Sequence, residues 1–218
     1  MTLSGSFEIV LTLGLTVAAA YPIGVYTADV FDNRRTFLTQ IIGPIERALY
    51  RLAGVEPEIE QKWHDYAIAM VLFGGVCMFG RFGLLRLQGW LPLNPQGFPG
   101  VPPGLAFNIA ISFITNANWQ AYGGETTLSH LSQMVGLTAN NFLDSAAAIA
   151  IAVALIRGLS RNESAAIGNF WVDMTRATLY ILLPLALVVA LAFAALGVPQ
   201  TLSGSIQATT LEGAKQVM

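Results

Sequence analysis

Charge is what this sequence has least of. Only 11% of its 218 residues are Asp, Glu, Lys or Arg, against about 25% in soluble domains, and that scarcity excludes an ordinary water-soluble fold. The formal net charge is −2 and there is no basic run, so no nucleic-acid partner is expected. Cysteine is nearly missing too. The single Cys77 lies in an apolar run, which excludes an internal disulfide or a multi-cysteine metal site and suits a small buried hydrophobe. His64 and His130, the two histidines, lack partners at metal-ligand spacing, so no zinc site is expected. No nucleophile–base pair and no phosphate-cradling glycine loop occurs, so neither catalytic residues nor an organic cofactor are expected. Any ATP chemistry then falls to another chain.

What is present is hydrophobic, 54% of the residues. A membrane core about 30 Å thick takes roughly 20 apolar residues as helix, and four runs reach that length, near 7–28, 66–87, 137–156 and 175–197. Pro22 and Pro184 fall inside the first and fourth, which membrane helices tolerate when neighbours satisfy the freed carbonyl. Arg81 and Arg86 close the second run and are expected to snorkel to the interface. The first run carries Ala18-Ala19-Ala20, which mimics a signal-peptide cleavage site. The positive segment such a peptide needs is missing, with Glu8 in its place, so an uncleaved span is expected.

Lysine and arginine accumulate on the cytoplasmic side of membrane proteins. Eight of the eleven fall between spans one and two (Arg34, Arg35, Arg47, Arg51, Lys62) or three and four (Arg157, Arg161, Arg176). Both termini are therefore expected outside and the 29–65 segment inside. That segment contains IGPIERALYRLAGV, with Ile45, Leu49 and Leu52 at helical spacing, an amphipathic helix expected to lie on membrane lipid. Asn162-Glu163-Ser164 matches a glycosylation acceptor, but on the predicted cytoplasmic side it carries no meaning.

Between spans two and three comes the irregular LPLNPQGFPGVPPG, then ten apolar-biased residues, 105–114, too few to span. Both flanking spans open to the outer face, so re-entry from outside is the economical reading. TNANWQ follows, residues 115–120. Non-helical backbone at membrane depth survives only where protein or a watery path surrounds it. Potassium-type filters replace the hydration shell with backbone carbonyls and need no formal charge. No Asp or Glu lies between Gly104 and Gly124, and no glycine precedes Gly123 in the loop. Asn116 or Asn118, the side chain type most tolerant of the left-handed region, is then expected to replace glycine. Trp119 and Gln120 are expected to pack behind the carbonyls. The competing reading is an interfacial turn with Trp119 at the headgroups. Asp144, inside span three, is either a transport group or half of a structural pair. Glu125 either draws cations to the outer mouth or caps the next helix. Gly74, Gly75 and Gly80 point to close helix packing.

The run ISFITNANWQAYGGETTLSHLSQMVGLTANNF, with LPLNPQGFPG before it and WVDMTRATLYILLPLALVVAL and LEGAKQ after it, resembles the potassium-binding A subunit of the bacterial Kdp potassium-transporting ATPase. That resemblance implies an inner-membrane, non-catalytic subunit. Potassium (K+) enters it from outside and passes through an intramembrane tunnel to the ATP-hydrolysing B subunit, with a C subunit assisting. It implies a pseudo-repeat of potassium-channel-like units and places the first filter on Thr115, Asn116, Ala117 and Asn118, with Gln120 just behind. The family's commoner residue at position 117 is threonine; alanine keeps the backbone carbonyl. The expected fold is an all-α membrane protein of four transmembrane helices plus one re-entrant pore helix and loop. It divides into 1–65 (first span and interfacial helix), 66–156 (helix, pore loop, helix) and 157–218 (the opening of a second unit). Relative to the family the chain is expected to be truncated, supplying one wall of a filter that needs four. A non-transporting assembly fragment and a passive pore-loop channel subunit are the alternatives.

Overall fold

A single apolar segment in a bilayer can satisfy its backbone only as helix. In the computed structural model, which describes residues 3–161, 165–213 and 215–217, all four apolar runs take that form. The elements are α1 (Leu3–Phe31), α2 (Thr39–Ala53), β1 (Gln61–Lys62), α3 (Trp63–Leu87), α4 (Pro103–Ile114), the single turn α5 (Gly124–Thr127), α6 (Ala139–Ser160), β2 (Ala166–Gly168), α7 (Phe170–Arg176), α8 (Leu183–Ala195), β3 (Gln207–Thr209) and β4 (Lys215–Val217). Wide π-helical turns at Ser132–Thr138 and Ala177–Leu182 lead into α6 and join α7 to α8. The continuous segments Ser4–Phe31, Trp63–Trp90, Ser132–Ser160 and Phe170–Ala195 are long and apolar enough to cross a membrane. Two short antiparallel ribbons, β1 with β2 and β3 with β4, are additions that hydropathy did not anticipate. Asn162-Glu163-Ser164 lies outside the described residues.

The core forms where α6 presents small residues. Ala146, Ala150 and Ala154 recur every fourth residue and are buried against Tyr66, Ala69, Phe170 and Met174, because short side chains let helix axes approach closely. The Tyr66 and Phe170 rings meet edge to face at 5.5 Å. By contrast α8 buries no residue, and among its described side chains α1 buries only Val30 and Phe31 at its end. Their apolar surfaces suit a lipid environment.

The arginines of the 157–176 segment meet the 29–65 segment at one end of the bundle. Arg157 pairs with Asp173 at 2.6 Å and donates to the Phe31 carbonyl, while the Tyr66 hydroxyl donates to Asp173. Gly168 sits at φ +109° beside this pair, and a Cβ there would collide with the Arg157 guanidinium. Arg176 pairs with Glu46 at 3.0 Å, and Glu46 also accepts from the Tyr50 and Tyr180 hydroxyls. Burial alone would raise the Glu46 carboxyl, but hydrogen bonds from Tyr180, Arg176 and Tyr50, with the Arg176 charge, hold it below the ordinary carboxylate range. α2 thus turns Glu46 and Tyr50 to the protein and leaves Ile41, Ile45, Leu49 and Leu52 exposed. Pro184 has no N–H for the Tyr180 carbonyl one turn earlier, and the Tyr26 hydroxyl of α1 donates to it instead at 2.8 Å.

Arg81 does not snorkel, and Arg86, half-buried, is tied to the backbone at the end of α3. The Arg86 guanidinium donates to the Val101 carbonyl at 2.6 Å, and the Arg81 side chain is fully buried beside Asp144. Arg86 is held by a carbonyl of the segment before α4, and Arg81 by carbonyls of α4 and of the turn ahead of α6 and by the Asp144 carboxylate of α6.

Candidate functional site

The segment before α4 is anchored rather than loose. Gln88, fully buried, donates to the Pro99 and Thr127 carbonyls and accepts from the Ser129 N–H and the Ser132 hydroxyl, using the full capacity of a primary amide. Gly100 packs so closely on the Arg86 carbonyl that a Cβ would overlap it. Pro103 opens α4, where a missing N–H costs nothing. Ala106, Ile109, Ala110, Ser112 and Phe113 form its buried face, and Leu85, Val101 and Leu128 join that face in one cluster.

At its C-terminus α4 closes in a Schellman motif. The Ala117 N–H donates to the Ser112 carbonyl and the Asn116 N–H to the Phe113 carbonyl, each at 3.0 Å; the Asn118 N–H also reaches the Ser112 carbonyl, at 3.2 Å. Asn116 sits at φ +54° and Asn118 at +53°, so both asparagines occupy the left-handed region where glycine is usual. The peptide bonds are all trans among the described residues, and in a trans peptide the carbonyl points opposite to the N–H that follows it. With the N–H groups of Asn116, Ala117 and Asn118 turned back to α4, the carbonyls of Thr115, Asn116 and Ala117 are turned away from it. No hydrogen bond reaches the carbonyls of Thr115 to Asn118 among the described residues, and all four residues are exposed.

Thr115 and Asn116 line a groove of about 460 Å³ between α3 and α6, with Met70, Gly74, Met78 and Asp144. Asp144 is thereby brought beside the loop, and it is also half of a buried pair with Arg81, Nη2 to Oδ2 3.6 Å. Trp119 (54% exposed) and Gln120 do not pack behind the carbonyls. Ser112 holds that place, its hydroxyl donating to the Trp119 carbonyl at 2.8 Å, because the motif folds the loop onto the last turn of α4 and turns the two larger side chains outward. Glu125 is exposed in the single turn α5. Tyr122, whose hydroxyl is buried without a hydrogen bond among the described residues, has its pKa pushed above the ordinary value by burial, partly offset by the Arg81 charge. Sequence reading missed Ser112, Gln88 and the pairing of Arg81. Arg81 and Asp144 each carried a signal as intramembrane charges of opposite sign; Ser112 carried none.

The sequence profile of the family described as Potassium-transporting ATPase A subunit matches residues 10–218. Three similar proteins are each called potassium-transporting ATPase potassium-binding subunit. Those of Granulibacter bethesdensis (54% identical) and Beijerinckia indica (51%) align over the whole chain, and that of Caulobacter vibrioides (52%) over 99% of it. The chain spans 38% of the length of each. On a match of that extent, this chain belongs to the potassium-transporting ATPase A subunit family.

Proposed function

We propose that the chain is a potassium-binding, non-catalytic part of a membrane subunit in an ATP-driven potassium uptake complex of the bacterial inner membrane. Potassium arrives from the outer face and is bound by the backbone carbonyls of Thr115, Asn116, Ala117 and Asn118. It is then passed to an ATP-hydrolysing B subunit, a C subunit assisting. The observation that carries this reading is the run of carbonyls turned off α4 that accept no hydrogen bond among the described residues. Carbonyl oxygens are the ligands that replace the water shell of potassium, and the negative end of the α4 dipole adds attraction for a cation. The names of the relatives point the same way.

In this reading both termini face outward and α4 re-enters from that side. Residues 66–156 are one helix, pore loop and helix unit, preceded by the 1–65 segment and followed by the start of a second unit in 157–218. Glu125 raises the local cation concentration at the mouth. One such loop supplies one wall of a filter, so the site is completed by carbonyls from further units.

The test exploits the left-handed conformation at Asn116. In the transporter assembled with B and C subunits, Asn116→Gly keeps that conformation and is expected to hold the potassium KM within about threefold. Asn116→Val, which resists positive φ, is expected to raise it at least tenfold (about 1.4 kcal/mol per tenfold). Equal KM values for the two variants would overturn the carbonyl assignment.

A further inference from the structure

A guanidinium in the middle of an apolar bundle is expensive unless it is paired and hydrogen-bonded. Arg81 reaches three other segments at once. Its Nε donates to the Gly136 carbonyl at 2.9 Å, in the wide turn ahead of α6, and its Nη1 to the Ala110 carbonyl of α4 at 3.0 Å. Nη2 faces Asp144 Oδ2 on α6, and Cζ lies 5.1 Å from the centre of the Phe113 ring, within cation–π range. We propose that Arg81, held by Asp144, is a positioning residue that sets the height and rotation of α4 and so places the Thr115–Asn118 carbonyls. This rests on the reading of that loop as the potassium site.

The path from clamp to loop is short. Ala110 and Phe113 bracket Ser112, and the carbonyls of Ser112 and Phe113 carry the N–H groups of Asn116, Ala117 and Asn118. A slide or rotation of α4 therefore moves the loop with it. Hydrogen bonds from a cation are stronger than neutral ones, and the rigid fork of arginine addresses two carbonyls and a carboxylate in fixed directions, which a lysine ammonium does not. Gly136 packs closely on α3, where a Cβ would come within 3.2 Å of Leu84 Cδ2.

Two measurements test the clamp. One is amide hydrogen exchange at Ala117 and Asn118 with the chain in lipid nanodiscs. The other is the potassium KM and maximal rate of ATP hydrolysis in the assembled transporter. In Arg81→Lys and in Asp144→Asn, the loop amides are expected to exchange at least tenfold faster, with α6 amides around Ala150 unchanged. The KM is expected to rise tenfold or more while the maximal rate stays within twofold. Phe113→Leu removes the ring under the guanidinium, leaves both charges paired, and is expected to speed loop exchange about threefold. Unchanged loop exchange in the three variants overturns the clamp, and so does equal acceleration in loop and α6, which marks a merely structural pair. Faster loop exchange with an unchanged KM leaves the clamp standing and overturns the potassium reading of the loop.

Discussion

At the end of the bundle that holds α2, buried charges are closely paired: Arg157 with Asp173 at 2.6 Å, Arg176 with Glu46 at 3.0 Å. Around α4, Arg81 and Asp144 stand 3.6 Å apart. Six buried side-chain atoms there, on Arg81, Asn108, Tyr122, Asn140, Asn141 and Asp144, have no hydrogen-bond partner, and no others are found among the described residues. The first region is tied for stability. The second carries polar groups in excess of its partners, a cost that marks the half of the molecule where the open carbonyls lie.

The comparison breaks most visibly at the closely paired end. Asp173→Leu leaves Arg157 largely buried and unpaired, and is expected to lower stability by about 3–5 kcal/mol, read by denaturant unfolding in detergent micelles. A loss under 1 kcal/mol would mean that the pairing there contributes little. The second region responds with the opposite sign. Asn140→Leu removes a buried unpaired amide oxygen and is expected to raise stability by about 1 kcal/mol; a fall in the same assay would show that Asn140 has a partner and that the contrast between the regions is weaker.

The smallest effect is in pH. The folded Glu46 carboxyl lies below its ordinary value, so its contribution is fully present above the ordinary glutamate pKa of about 4.3. It is lost as pH falls through the lower folded value. Glu46→Gln is expected to flatten the acid limb of an unfolding-against-pH curve and to leave the neutral region parallel to the parent. An unchanged acid limb would remove Glu46 from the tied end.

Much of this was legible beforehand, for identifiable reasons. The four spans follow from unbroken hydropathy, and their ends shift by only a few residues. The amphipathic α2 was visible in the spacing of Ile45, Leu49 and Leu52, which stay exposed in the folded chain. One of Asn116 and Asn118 is marked by elimination, since a tight loop without glycine leaves asparagine as the residue that tolerates positive φ; the folded loop uses both. Arg81 was misplaced, since its position near a helix end looked the same whether it snorkelled or turned inward. Trp119 and Gln120 were expected behind the loop, a place that Ser112 holds.

The sequence by itself determined the class of protein, because too few charges and four runs of apolar residues allow nothing but helices in a bilayer. It also pointed to asparagine for a left-handed turn in the loop after α4, and the folded loop uses two. The tertiary structure alone decided which groups meet. Ser112 becomes an anchor only when α4 ends in a Schellman motif, and Arg81 meets Ala110, Gly136 and Asp144 only when α3, α4 and α6 pack together. Hydropathy is a property of one segment read along the chain; a hydrogen bond between residues 55 positions apart depends on relative helix placement, which no single segment encodes.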